Sequence, residues 1–216
     1  MLMKPETRLI LALDVTDRDW ALDIVEAVRG DVDAIKINWP LVLNCGPDMV
    51  DEISAIKPVI CDFKIADIPN TSRLIAENAF ERGASGVIIH AFSGIDSLET
   101  VVGIAREYDG LVFSVVELSH PGAVESYAGV LDRNIDISMR ARVSGFIAPG
   151  TRPDKIEHIR RLAGPKATIL SPGIGAQGGS GKIAIESGAD FVIVGRSIYT
   201  AEDPGAVARD IVATLR

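Results

Sequence analysis

Two stretches, Gly83-Ala84-Ser85-Gly86-Val87-Ile88 and Gly188-Ala189-Asp190-Phe191-Val192-Ile193, share one grammar. In each, a Gly-Ala pair stands just before an apolar run. Glycine accepts the left-handed conformation that closes a helix, so each stretch reads as a helix stop followed by a strand start. Working outward, similar apolar runs occupy residues 9–15, 33–38, 59–64, 86–91, 111–118, 145–149, 168–173 and 191–196. None alternates cleanly with polar residues, which is the pattern of parallel strands buried on both faces. Segments of helix-forming composition lie between them, for example 16–29 with Thr16 as N-cap, and 154–163 just after Pro153. Eight βα units with no linker or charge block between them predict an α/β fold of one domain over residues 1–216, a TIM (β/α)8 barrel. The competing doubly wound sheet would carry G-x-G-x-x-G after its first strand, where this chain reads Asp14-Val15-Thr16-Asp17.

The 216 residues include 22 basic and 30 acidic side chains, a net charge of −8. Such a balance argues against a non-specific grip on nucleic acid and directs attention to small metabolites. Cys45 and Cys61 have neither C-x-x-C spacing nor clustered His, so the chain is expected in the reducing cytoplasm without disulfides or structural zinc. No stretch has the length of a signal peptide's apolar core near the start, or of a membrane span anywhere, so no membrane partner is expected.

Active sites of such barrels lie at the C-terminal ends of the strands. There the sequence places Asp14, Lys36, Asp62, Lys64, Asp67, His90 and Glu117, with Ser119 and His120 just beyond. If strand alternation holds, Asp62 and Lys64 share the inward face while Phe63 points away. Buried charges need partners, and Lys36 with Asp67 would complete an alternating Lys, Asp, Lys, Asp array. An ion-pair plug is the structural account of any one such pair. Five charged residues at three neighbouring strand ends favour catalysis.

A second constellation, Ser171-Pro172-Gly173-Ile174-Gly175-Ala176-Gln177-Gly178-Gly179, follows the seventh strand, and Gly195-Arg196 ends the eighth. Glycines expose backbone N–H groups, Arg offers a fork to phosphate oxygens, and these two loops commonly hold phosphate in TIM barrels. Other residues carry less. His90 reads equally as an acid/base group or a structural hydrogen-bonder. His120 reads as a turn residue, His158 as solvated, Trp39 and Phe92 as packing, and Glu117 as a buried partner of the array. Asp62 and Asp67 with water would be the only credible Mg²⁺ set.

These residues resemble the orotidine 5′-phosphate decarboxylase family, in particular its compact archaeal form. The resemblance spans nearly the whole chain and rests on Leu11-Ala12-Leu13-Asp14, Lys36-Ile37, Asp62-Phe63-Lys64-Ile65-Ala66-Asp67-Ile68-Pro69 with Thr71, Ser119-His120-Pro121-Gly122, the glycine-rich stretch, and Val194-Gly195-Arg196-Ser197. It implies decarboxylation of orotidine 5′-phosphate to UMP without metal or organic cofactor, the last step of de novo UMP synthesis. Lys64 would protonate the carbon that loses CO2, and Asp62 would hold Lys64 beside the departing carboxylate. Asp14 and Lys36 would bind ribose hydroxyls. Ser119 would read the pyrimidine edge, Gln177 would bridge to the phosphate, and Pro172, Gly173, Gly195 and Arg196 would line the phosphate end. Asp67 and Thr71 would cross a homodimer interface into the partner's site. Asn38-Trp39 and Ala91 depart from the family's usual residues.

The same strand-3 motif also resembles a sister branch of Mg²⁺-dependent sugar-phosphate decarboxylases and aldolases. That branch carries an acidic residue where this chain has Lys36, and a cation there would repel the metal. A non-catalytic nucleotide-binding barrel is the remaining alternative; it would have no need of Asp62, Lys64 and Asp67 together.

Overall fold

The structure, a computed structural model, describes residues 4–215. Strands β1 (Leu9–Leu13), β2 (Ala34–Ile37), β3 (Val59–Ile65), β4 (Gly86–His90), β5 (Leu111–Val115), β6 (Gly145–Ile147), β7 (Thr168–Pro172) and β8 (Phe191–Val194) pair in parallel and in sequence order. Strand β8 then closes on β1, with Leu11 beside Val194. The predicted barrel is present, and each predicted run holds one strand.

Helices occupy the connections: α1 (Arg18–Val28), α2 (Trp39–Cys45), α3 (Met49–Ser54), α4 (Pro69–Glu81), α5 (Ile95–Glu107), α6 (Ala123–Tyr127), α7 (Leu131–Arg140), α8 (Pro153–Ala163), α9 (Gly181–Glu186), α10 (Arg196–Tyr199) and α11 (Pro204–Thr214).

At the two junctions quoted above, Gly83 and Gly188 take φ of 87° and 109°. The next amides reach back in the same way, Ala84 to the Ala79 carbonyl and Ala189 to Ala184. Each helix thereby closes in a Schellman motif. Ser85 and Asp190 then donate to Val59 and Ile169, which seeds the parallel ladder of the next strand. One cap is not where the sequence suggested: Asp17, not Thr16, caps α1, accepting the Trp20 amide at 2.9 Å. A carboxylate there accepts the amide and also complements the helix dipole.

Alternation sorts the strand residues into two cores. Leu9, Leu11, Leu13, Ile35, Ile37, Val59 and Cys61 pack outward under the helices, while Ile10, Ala12, Ala34, Ile60, Ile88, Phe113 and Phe191 fill the barrel. Two residues further along the inward rows of β1, β2 and β3 stand Asp14, Lys36 and Asp62. The small Ala12 and Ala34 beneath them leave room at the mouth. At the closed end, the Phe113 ring is accommodated by glycine on both neighbouring strands. A Cβ on Gly86 would come within 3.2 Å of the ring, and one on Gly145, its register partner, within 3.1 Å.

A Cβ on Gly145 would also collide with the Thr168 carbonyl, which belongs to the rigid β7 backbone. We expect Gly145→Ala to destabilise the barrel by about 1–3 kcal/mol in urea denaturation, the usual cost of overpacking. Unchanged stability would contradict this packing.

Candidate active site

At the C-terminal mouth, four charged side chains from three strands form one connected line. The Asp14 carboxylate lies 3.5 Å from Lys36 Nζ, Lys36 Nζ lies 2.9 Å from Asp62 Oδ2, and Lys64 Nζ lies 2.8 Å from both Asp62 oxygens. Lys36 and Asp62 are each only 5% exposed, whereas the Lys64 side chain is 38% exposed and reaches the open mouth. Burial by itself would push Asp62 toward protonation, but the two ammoniums outweigh it and hold the carboxyl below its ordinary range. Burial likewise opposes the charge on Lys36, and Asp62 with Asp14 outweigh it, so its ammonium titrates above the usual lysine range.

The strand carrying Asp62 and Lys64 is not regular. Cys61 pairs with Val87 and the next register pair is Ile65 with Ile89, four steps along β3 against two along β4. Asp62, Phe63 and Lys64 therefore lie in a bulge. Lys64 has φ of 44°, a left-handed conformation that costs a residue with a Cβ about 1–2 kcal/mol. Simple alternation predicted that the two side chains would meet. They do meet, but through this turn.

On the rest of the barrel rim, from β4 round to β8, Ile88, Val115, Leu118, Ile147 and Ile193 give the mouth an apolar wall, and with the charged line they enclose a cavity of about 220 Å³. Its remaining lining includes Ser119, Pro172, Gly173, Gln177, Gly195 and Arg196. Ser119 Oγ donates to Gln177 Oε1 at 2.9 Å, which ties the loop after β5 to the loop after β7. The glycine stretch folds on itself, Gly175 N–H to Gly179 O and Gly179 N–H to Gly173 O. Gly179 is required there, since its Cβ would meet the Gly150 carbonyl at 2.8 Å.

Several residues depart from the expectations. Asp67 does not join the array within one chain: it is exposed and its Oδ1 accepts the Ile68 amide at 2.7 Å. Its backbone is held firmly, because the buried Ser72 and Ser97 hydroxyls both donate to its carbonyl, at 2.9 and 2.8 Å. Thr71 lines a separate apolar groove with Trp39, Phe63 and Leu74. Glu117 is buried but pairs with Arg152 at 3.3 Å, not with the array. His158 contacts Asp132 instead of standing solvated. Asp62 and Asp67 are not brought together, and among the described residues no group of three His, Cys, Asp or Glu is arranged to hold a metal.

Thr151 and Arg152 were missed. Thr151 Oγ1 donates to the Ser119 carbonyl at 3.1 Å and Arg152 donates to the Leu118 carbonyl, so both fix the loop that presents Ser119. Their signal was position: they are polar residues in the loop that follows β6, after Ala148-Pro149-Gly150.

His90 turns inward at the end of β4. Its Nδ1 lies 2.9 Å from the buried Tyr127 hydroxyl and its ring stacks on Phe92 at 4.6 Å. Burial, reinforced by the Lys64 ammonium, pushes the imidazole down to about 4. It is a neutral structural hydrogen-bonder at neutral pH, tying β4 to α6.

A closed parallel barrel with a buried charge line facing an apolar wall at its C-terminal mouth defines a TIM-barrel enzyme. The chain belongs to the Orotidine 5′-phosphate decarboxylase / HUMPS family, whose model matches residues 7–211. It is 50% identical to the orotidine 5′-phosphate decarboxylase of Methanococcoides burtonii over 97% of both chains, and 49% identical to that of Thermoplasma acidophilum over 95% of this chain and 94% of the relative. Among solved structures, the Methanocaldococcus jannaschii orotidine 5′-monophosphate decarboxylase complexed with the inhibitor BMP superposes with a TM-score of 0.91 at 40% identity, covering 96% of this chain and 98% of that one.

The depressed His90 carries a stability signature. The unfolded imidazole protonates near pH 6.5 and the folded one near 4, so stability is present at neutral pH and is lost as pH falls through that window. Between pH 7 and pH 5 this amounts to about 2 kcal/mol. Urea denaturation of His90→Gln should show a flatter pH dependence by about that amount; an identical slope would contradict the buried neutral imidazole.

Proposed function

We propose that this chain is a carboxy-lyase that converts orotidine 5′-phosphate to UMP and CO2 without metal or organic cofactor, the last step of de novo UMP synthesis, and that residues 1–216 form one decarboxylase domain. The observation that carries the reading is the Lys64 ammonium, held by both oxygens of a buried Asp62 at 2.8 Å and facing an apolar wall. The relatives bearing this enzyme's name over nearly their full length support it.

In this reading the bond from C6 of the pyrimidine to its carboxylate breaks, CO2 leaves, and the electron pair stays on C6. The Lys64 ammonium stabilises that charge and delivers a proton to it. The departing neutral CO2 suits the apolar surface of Ile88, Val115 and Ile147. A substrate carboxylate about 4 Å from Asp62 would be repelled by about 4 kcal/mol at an effective dielectric near 20, about three powers of ten in rate. Enzymatic accelerations reach the equivalent of about 23 kcal/mol, so stabilisation by a preorganised cation carries the larger share. The buried line supplies that preorganisation, since Asp62 and Lys36 fix Lys64 before substrate arrives.

Asp14 and Lys36 would take the ribose hydroxyls, and Ser119, locked to Gln177, the pyrimidine edge. Pro172, Gly173, Gly195 and Arg196 would receive the phosphate, with Gln177 between base and phosphate. The protein would act as a homodimer in which Asp67 and Thr71 serve the partner's site. Two features support this: Asp67 has a carbonyl held by two buried hydroxyls and an exposed carboxylate, and the chain carries an apolar groove lined by Thr71 with the exposed Leu74 and Trp39. A cytoplasmic setting suits the free cysteines Cys45 and Cys61. The Mg²⁺-dependent sugar-phosphate reading is disfavoured by charge, because Lys36 Nζ and Lys64 Nζ already satisfy the Asp62 oxygens that a metal would need.

The test follows the loss of orotidine 5′-phosphate absorbance in the presence of EDTA. We expect turnover by the wild type and none by Lys64→Ala. Near-normal kcat in that variant would sink the assignment, and activity lost to EDTA and restored by Mg²⁺ would favour the sister branch. Mixing Lys64→Ala with Asp67→Ala chains should recover about a quarter of wild-type activity, since half the dimers are hybrids with one intact site each. No recovery after verified subunit exchange would refute shared sites.

A further inference from the structure

We infer that Trp39 is a positioning residue for Lys64, holding the strained turn of β3 from outside the mouth. The indole Nε1–H donates to the Phe63 carbonyl at 2.9 Å, and the indole stacks on the Phe63 ring with centroids 4.3 Å apart and planes at 24°. Both contacts fall on the residue before Lys64.

The covalent logic is direct. The Phe63 carbonyl and the Lys64 nitrogen belong to one rigid peptide plane. Fixing that carbonyl fixes the plane from which the Lys64 φ of 44° is measured. The bulge needs such a hold, because residues 62–64 fall between the two register pairs that join β3 to β4. A left-handed residue other than glycine persists only where its surroundings over-determine it.

Trp39 is itself anchored. It opens α2, and its own amide is capped by the Asn38 side chain at 2.7 Å. Asn38 in turn follows directly on β2, which carries Lys36. One short junction therefore places both ammoniums that face Asp62, Lys36 through the strand and Lys64 through the indole. Asn38-Trp39, the pair that departs from the family's usual residues, gains a role in this way.

The inference rests on the proposed decarboxylation for its kinetic readout, and a structural readout is independent of it. Two replacements are made at position 39: Trp39→Phe, which keeps a ring but lacks the donor, and the isosteric benzothienylalanine, which removes only the N–H and keeps the fold if Trp39→Phe does not. We expect kcat to fall about tenfold while KM for orotidine 5′-phosphate stays within twofold, since the ligand-binding groups are untouched. Crystal structures should show Lys64 leaving the left-handed region or its Nζ leaving Asp62. A kcat equal to wild type, or a KM changed by more than twofold in either direction, would overturn the inference, as would unchanged Lys64 geometry in both variants. A wild type that turns nothing over would instead remove the decarboxylase reading and leave the crystallographic test standing.

Discussion

A carboxylate buried beneath the mouth of the barrel is tolerable only if cations meet it, and the active end of this protein is organised around that requirement. Asp62 is 5% exposed and is met by Lys36 from the neighbouring strand and by Lys64 from its own. Removing either ammonium would leave the buried carboxylate with one cation in place of two. The cost of burying the group is thus converted into order: the lysine that reaches the open cavity has its position set by its partner. Asp14 extends the line toward solvent from the far side of Lys36.

The same requirement accounts for the irregularity of β3. In a flat strand, residues 62 and 64 would face the same way but project side by side, about 7 Å apart along the chain. The bulge, with two extra residues against β4, folds that distance so that Lys64 Nζ meets both Asp62 oxygens. The strained φ of Lys64 is the structural cost, and the indole of Trp39 on the Phe63 carbonyl is one of the contacts that sustain it. The strain thus falls on the residue proposed as proton donor, and strained backbone commonly clusters at sites where geometry must be imposed.

Much of this was legible in the sequence because it depends on local rules. The glycine stops at Gly83 and Gly188 support the βα repeat, and the C-terminal ends of the first two apolar runs place Asp14 and Lys36 at the mouth. What stayed hidden depends on pairing between distant segments. Nothing local in Asp62-Phe63-Lys64 announces a bulge, since it arises from the register with β4. The exile of Asp67 from the array follows from the turn into α4, with Ser72 and Ser97 gripping its carbonyl from two helices. Glu117 pairs with Arg152, 35 residues away in sequence, where the loop after β6 also bonds the Leu118 and Ser119 carbonyls. Asn38 and Trp39 read as departures in the sequence and gain a structural role only in three dimensions.

The account stands on Asp62 being fully ionised in the resting protein, poised between two ammoniums before any substrate binds. The most direct measurement is a ¹³C NMR titration of the Asp62 carboxyl carbon in the ligand-free protein, assigned with Asp62→Asn. The account predicts that the signal stays that of a carboxylate as pH falls through the ordinary aspartate range, titrating only below it. A carboxyl that protonates at or above that range would mean that burial outweighs the lysines, and would contradict the preorganised array.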